Sequence, residues 1–114
     1  MSDKKLNLSS NQQLALEALK NELIKENYPI EEYIIFGSVA RGKAEEGSDL
    51  DLLALLSQPI SHRLKHDIYG IVTEINLKYD TNLSILLIDK PSWDSGFYSV
   101  LSIKDEVQRD GVKL

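Results

Sequence analysis

Two aspartates that alternate along the chain, and a glycine–serine step before them, have a spacing that points to chemistry. Ten residues separate Ser38 from Asp49, and Asp51 follows at the next alternate position. The aspartates open an apolar run that predicts a strand over residues 49–56, in which side chains two apart share one face. Carboxylates about 7 Å apart on one face repel each other, and a hard divalent cation such as Mg²⁺ relieves the repulsion. Since Gly37 and Ser38 offer free backbone N–H groups and a hydroxyl, the pattern predicts a nucleotide–Mg²⁺ site.

The longer motif around these residues resembles the signature of the nucleotidyltransferase superfamily that includes DNA polymerase β. Residues 36–42 read Phe-Gly-Ser-Val-Ala-Arg-Gly, and residues 48–52 read Ser-Asp-Leu-Asp-Leu. The chain is 114 residues long, which is similar to the smallest members, the minimal nucleotidyltransferases (MNT). A lone Gly-Ser or Asp-x-Asp is common, whereas the two together at this spacing are specific.

The resemblance implies a role for each matching residue. Asp49 and Asp51 would be catalytic and would bind Mg²⁺, while Gly37 and Ser38 would hold the phosphates of ATP. A short helix is expected to start at Gly37 and to point its N-terminus at the phosphates. Arg41 would lie on the same face of that helix as Ser38 and reach the triphosphate, although a plain surface arginine is the alternative. Lys43 and Ser48 are weaker candidates for the same site.

The chain departs from the family pattern on the following strand, where active members carry a third carboxylate. That strand is predicted over residues 83–88, and the matching position is Ser84, or Leu86 if the register shifts by two. Neither residue is an anion. Asp89 falls on the opposite face of the strand, and Asp80 precedes it. The sequence therefore predicts an intact nucleotide-binding half of the site and places the transfer chemistry in question.

Composition narrows the class of protein. The length predicts one nucleotidyltransferase domain over residues 1–114, with residues 1–8 frayed. The chain has no cysteine, which excludes disulfides and thiolate metal sites. No apolar run is long enough to span a membrane, so a cytoplasmic location is the expectation. The formal charge of −5 argues against binding to duplex nucleic acid.

Hydrophobic periodicity and turn residues predict an α/β (α+β) domain with a small mixed sheet and helices packed mainly on one face. The expected elements are a helix over residues 10–27, a strand over 33–36, the short helix after Gly37, a strand over 49–56, a helix from about 61 to 79, a strand over 83–88 and a partly helical stretch over 93–107 that ends before Gly111.

Two further groups of residues can be interpreted either as chemical or binding sites or as ordinary structural residues. His62 and His66 have the i, i+4 spacing of a metal-binding helix face, but solvated helix residues are the favoured interpretation. Trp93, Phe97 and Tyr98 form an aromatic cluster that would either dock a partner or close the core.

Three functions compete at this stage. The first is a Mg²⁺-dependent transfer of a nucleoside monophosphate from ATP to a hydroxyl. The MNT resemblance implies that the acceptor is a HEPN-domain toxin, so that the pair is a toxin–antitoxin system. The second is a degenerate nucleotide-binding or partner-binding module that neutralises its partner by forming a complex. The third is transfer to a small molecule, which usually needs a longer chain. A homo- or hetero-oligomer is compatible with each of them.

Overall fold

The computed structural model describes residue 6, residues 8–42, residues 49–96, residue 98 and residues 101–114. In chain order the elements are α1 Ser10–Lys25, β1 Ile30–Phe36, β2 Leu50–Leu56, α2 His62–Tyr79, β3 Leu83–Asp89, α3 Lys90–Asp94, α4 Ser102–Asp110 and β4 Val112–Lys113. The predictions for Lys43, Ser48 and Phe97 lie outside the described residues. Of the segment expected to fray, Leu6 and Leu8 are described, and both pack against the core.

The four strands form one mixed sheet in the order β3-β2-β1-β4. β1 runs antiparallel to both of its neighbours, β2 and β4, whereas β2 and β3 are parallel. A parallel pair needs a long crossover, and α2 supplies it. The predicted mixed α/β architecture is therefore confirmed. β4 was not predicted, because two residues that follow a helix carry no periodicity of their own.

Local signals in the sequence explain where the two long helices begin and end. Ser9 caps α1 in a reciprocal capping box with Gln12, and Asn27, in a left-handed conformation, follows the last turn. The helix ends at Lys25, two residues before the predicted end. The Ser61 hydroxyl accepts a hydrogen bond from the Leu64 N–H at the start of α2. Asp80, also left-handed, ends that helix.

The two long helices cover one face of the sheet and build the larger core. α1 contributes a stripe of buried apolar residues at helical spacing, which includes Leu16, Leu19 and Leu23. The facing side chains of β2 are the alternate residues from Leu50 to Leu56, all fully buried. This core fixes β2, the strand on which the carboxylates lie.

The short helices α3 and α4 cover the opposite face with a smaller core. Trp93 and Val107 pack there against Leu53 and other buried strand residues. The Lys104 ammonium joins the two helices by donating to the Trp93 carbonyl oxygen at 2.6 Å. Of the two interpretations of the aromatic cluster, the structure therefore supports the core role for Trp93.

The chain after β1 forms a tight turn, so the prediction of a short helix at Gly37 is wrong. The Arg41 N–H donates to the Gly37 carbonyl at 3.1 Å, and the Gly42 N–H donates to the Val39 carbonyl at 3.1 Å. Gly37 and Gly42 have positive φ values of 80° and 71°, which end the helical path on both sides of the turn. Val39 and Ala40 are buried as expected.

β1 is longer than predicted, because it begins at Ile30 rather than Tyr33. The added residues include Glu31 and Glu32, whose charges hide the strand from a search for apolar runs. Both faces of β1 are buried, since Ile34 joins the smaller core and Ile35 the larger one.

Candidate nucleotide site

Asp51 lies at the entry of β2 on the face that carries the smaller core, and Asp49 directly precedes the strand, which begins at Leu50 rather than at the predicted residue 49. The residue between them, Leu50, is fully buried in the larger core on the other face. The Leu50 N–H donates to the Asn82 carbonyl at 3.0 Å. This hydrogen bond holds the first residue of β2 against the residue that precedes β3. Asp51 is half-buried, whereas Asp49 is exposed. The charge of Asp49 acts on Asp51, so the two carboxylates lie near each other at the start of β2.

The strand register brings the turn that begins at Gly37 against the second carboxylate, Asp51. Phe36, the last residue of β1, pairs with Asp51, so Gly37 begins the turn beside it. A methyl group built on Gly37 would collide with Oδ2 of Asp51. Glycine avoids this collision because it has no Cβ atom, and the positive φ at position 37 also favours glycine. Ser38 follows in the turn and is half-buried.

The electrostatics of Asp51 suit a cation. Burial raises the pKa of the Asp51 carboxyl group above its ordinary value, and the negative charges of Asp49 and Glu106 raise the pKa further. The Arg41 charge opposes them. A divalent cation at this point would relieve the repulsion, and carboxylate oxygens are the ligands that Mg²⁺ prefers. The carboxylate oxygens of Asp49 and Asp51 therefore fit a divalent cation such as Mg²⁺.

Arg41 lies in the turn after β1 and pairs with Glu106 of α4. Its Nη1 atom donates to Oε1 of Glu106 at 2.7 Å, and both side chains are 36% exposed. Sequence reasoning missed Glu106, although a signal exists. Ile103 and Val107 of α4 pack toward the sheet. Glu106 follows Ile103 by three residues and therefore lies on the same side of the helix.

Ser84 occupies the position beside Asp51 on the neighbouring strand. The parallel register pairs Asp51 with Ser84 and Leu53 with Leu86, so Ser84 rather than Leu86 matches the place of a third carboxylate. Ser84 is exposed. The side-chain amide of Asn76 fixes this register, because it donates to the Leu83 carbonyl at 3.0 Å and accepts from the Leu83 N–H at 2.8 Å.

The other acidic residues near β3 have structural roles. Asp89 pairs with Leu56 at the far end of the strand and caps α3 through the Ser92 N–H at 3.0 Å and the Ser92 hydroxyl at 2.9 Å. Asp80 caps the C-terminus of α2. Within the described parts of the chain, no three His, Cys, Asp or Glu side chains converge on a common metal position. Asp49 and Asp51 thus form a two-carboxylate site.

The remaining chemical candidates lie apart from this site. His62 and His66 are exposed on the first turns of α2. A cavity of about 460 Å³ opens between α3, α4 and β4, with Trp93, Val107 and Lys113 among its lining residues. Neither aspartate lines this cavity. None of the helices in the described ranges combines the length and the apolar character needed to cross a bilayer.

Three solved structures share the fold of this mixed four-stranded sheet and its helices. A minimal nucleotidyltransferase superimposes with a TM-score of 0.60 at 21% identity, over 95% of this chain and 99% of the other. A toxin–antitoxin complex with AMP-PNP gives 0.57 at 17% identity, over 85% and 70%. The toxin–antitoxin pair MntA–HepT gives 0.54 at 16% identity, over 90% and 70%.

Sequence comparison establishes the family. Residues 16–109 match the model of the nucleotidyltransferase domain. A curated protein of Methanocaldococcus jannaschii, named as a protein adenylyltransferase, is 33% identical over 85 residues, which are 75% of this chain and 79% of that protein. The chain belongs to the nucleotidyltransferase domain family.

Proposed function

We propose that this protein is a Mg²⁺-dependent nucleotidyltransferase that transfers AMP from ATP to a hydroxyl group of a partner protein. The observation that carries the proposal is the close approach of Gly37 to the Asp51 carboxylate, because it joins a phosphate-binding turn to a cation-binding strand. Family membership supports nucleotide transfer. The relative that is named as a protein adenylyltransferase supports ATP as the donor and a protein as the acceptor.

Each residue of the site has a role in this proposal. The backbone N–H groups that follow Gly37, together with the Ser38 hydroxyl, would bind the β- and γ-phosphates. The Arg41 guanidinium lies three residues further along the turn and would neutralise phosphate charge through paired N–H donors. These contacts would align the α-phosphate for in-line attack, which is the main protein contribution to phosphoryl-type transfer.

Asp49 and Asp51 would hold Mg²⁺. When bound, the ion would supply positive charge that neutralises the charge developing on the leaving pyrophosphate. The half-buried position of Asp51 favours this role, since a buried carboxylate with raised pKa gains more from a cation than an exposed one.

The partner that we propose is a HEPN-domain toxin, with this protein as its antitoxin. The resemblance to MNT proteins implies it, and two of the solved structures that share the fold are toxin–antitoxin complexes, one of them with AMP-PNP. A partner that carries the hydroxyl would act as the second substrate.

A second candidate function is neutralisation of the partner by complex formation alone. The observation that favours it is Ser84, a neutral residue at the strand position beside Asp51. In that case Gly37, Ser38 and Arg41 would bind a nucleotide that is not transferred.

The test uses the purified protein with Mg²⁺, ATP labelled at the α-phosphate and a HEPN-domain protein from the same source cells. We expect label on the partner, and we expect Asp49→Asn and Asp51→Asn to abolish it. Asp67→Asn, which removes the same charge from an exposed position on α2, is the matched control. Absence of label, with nucleotide binding still detected by calorimetry, would favour the second function. Absence of binding as well would refute the nucleotide site.

A further inference from the structure

An attacking hydroxyl must lose its proton during transfer, and the strand residues of the site do not supply an acceptor for it. General bases in such reactions are positioned side chains within reach of the hydroxyl. Asp49 and Asp51 would be committed to the cation in the proposed function. Their neighbour on β3 is Ser84, whose hydroxyl is no base at neutral pH. Among the described residues, a proton acceptor for this site would therefore come from an element other than β2 and β3.

Glu106 is the carboxylate that the fold brings to this place from outside the sheet. α4 packs through Val107 and Ile103 on the face of the sheet that carries Asp51. Glu106 reaches from that helix to the turn beside Asp51, where it accepts from Arg41 at 2.7 Å. Its charge acts on Asp51 together with that of Asp49, which places it within electrostatic range of the site.

The contact with Arg41 engages this carboxylate in an ion pair whose two side chains are each 36% exposed. Exposed ion pairs are weak, so a polyphosphate with several negative oxygens would compete for the guanidinium. Phosphate binding to Arg41 then leaves Glu106 without its partner. A free carboxylate at the rim of the site is able to accept a proton.

We propose that Glu106 is the general base of the transfer reaction, and that ATP releases it by taking Arg41. The proposal rests on the proposed function. The acceptor oxygen forms a bond to the α-phosphorus, and the bond from that phosphorus to the α,β-bridging oxygen breaks. The electron pair leaves with pyrophosphate, and the hydroxyl proton moves to the Glu106 carboxylate. No further reactant is needed.

The experiment compares Glu106→Gln with Asp105→Asn in the full-length protein. Asp105 is the adjacent residue of α4 and is exposed. Because Asp105→Asn removes the same charge as Glu106→Gln, it is the matched control. Label transfer to the partner is measured at saturating ATP. The dissociation constant for Mg²⁺–ATP is measured separately by calorimetry, and circular dichroism verifies the fold of both variants.

We expect Glu106→Gln to lower transfer by roughly 100-fold or more while Mg²⁺–ATP binds as tightly as before or up to several-fold more tightly, since Arg41 is freed. Asp105→Asn should change neither quantity by more than about twofold. Transfer by Glu106→Gln within about threefold of the control would overturn the proposal and leave the proposed function standing. Weaker ATP binding by Glu106→Gln would also overturn it, because Glu106 would then serve to hold Arg41 in place. If the unmodified protein itself transfers no label, the proposed function is wrong, and the proposal for Glu106 is wrong with it.

Discussion

The face of the sheet under α1 and α2 and the face under α3 and α4 are built differently. Eighteen described residues form the buried core of the first face, and six form that of the second. Two long helices cover the first face, and two short helices cover the second. The larger core fixes the strands, and among the described residues Asp51, Ser84 and Glu106 lie on the side of the smaller core. In the proposed function, the site would therefore lie on the face that contributes less to the buried core.

The largest effect should come from Asp51→Asn, which breaks the chemistry and strengthens the fold. Transfer should fall about 10²- to 10⁴-fold. Stability should rise, by no more than a few degrees in Tm, because the raised pKa of Asp51 means that its charged form is disfavoured in the folded state. The gain should be full at neutral pH and shrink as pH falls toward the ordinary aspartate pKa, where Asp51 takes up a proton. Thermal melts at several pH values measure it, and a lower Tm at neutral pH would contradict the assignment.

Neighbouring leucines of β2 compare the two faces directly. Leu52 and Leu53 are both fully buried, the first in the larger core and the second in the smaller one. We expect Leu52→Ala to cost about 4 kcal/mol and Leu53→Ala about 2–3 kcal/mol, because short helices collapse more readily into a cavity. Denaturant unfolding measures both.

Leu53→Ala should also weaken Mg²⁺–ATP binding more than Leu52→Ala does, since Leu53 shares the face of Asp51. Leu77→Ala, at a helix position that is 80% exposed, is the control and should leave both quantities nearly unchanged. An equal loss of affinity in the two core variants would mean that the faces are not separated.

Substitutions of two glycines, one in the candidate site and one in α2, should have opposite effects on stability. Gly37→Ala meets a positive φ and the Asp51 carboxylate, so it should destabilise the protein by about 1–3 kcal/mol and weaken Mg²⁺–ATP binding. Gly70→Ala in α2 has no heavy atom near the new methyl group and should stabilise by about 0.5–1 kcal/mol. Unfolding curves and calorimetry on both variants test this, and destabilisation by the Gly70 change would be unexpected.

The smallest effect in this series should come from Arg41→Ala. We expect Mg²⁺–ATP affinity to fall about tenfold, or about 1.4 kcal/mol, with little change in stability, because the ion pair with Glu106 is half-exposed. Arg63→Ala, which removes a 91% exposed arginine on α2, is the charge-matched control. Equal affinities for the two variants would show that Arg41 is a plain surface arginine.

The features predicted correctly from the sequence are those that depend on local periodicity. The helical spacing of α1, the start of α2 near residue 61 and the strand β2 all follow from short stretches of sequence. The family match at Gly37 rests on one motif of the same kind, and comparison with known proteins confirms it.

The features that were missed depend on contacts between distant parts of the chain. Glu106 lies 65 residues from Arg41, and β4 exists only because β1 offers it an edge. The helix predicted after Gly37 failed for a different reason, since two glycines with positive φ close the turn too early. Sequence patterns determine elements one at a time, whereas the second half of the site is assembled from pieces that meet only after folding.

The pairing of Glu106 with Arg41 has a consequence for how folding is linked to the cation concentration. A cluster of three uncompensated carboxylates would store repulsion in the empty protein, and its stability would then rise steeply with Mg²⁺. Here the third charge is balanced by a guanidinium, and the strand beside Asp51 adds a neutral serine. We therefore expect the stability of the protein to change little with Mg²⁺ concentration, even where the proposed site binds the ion.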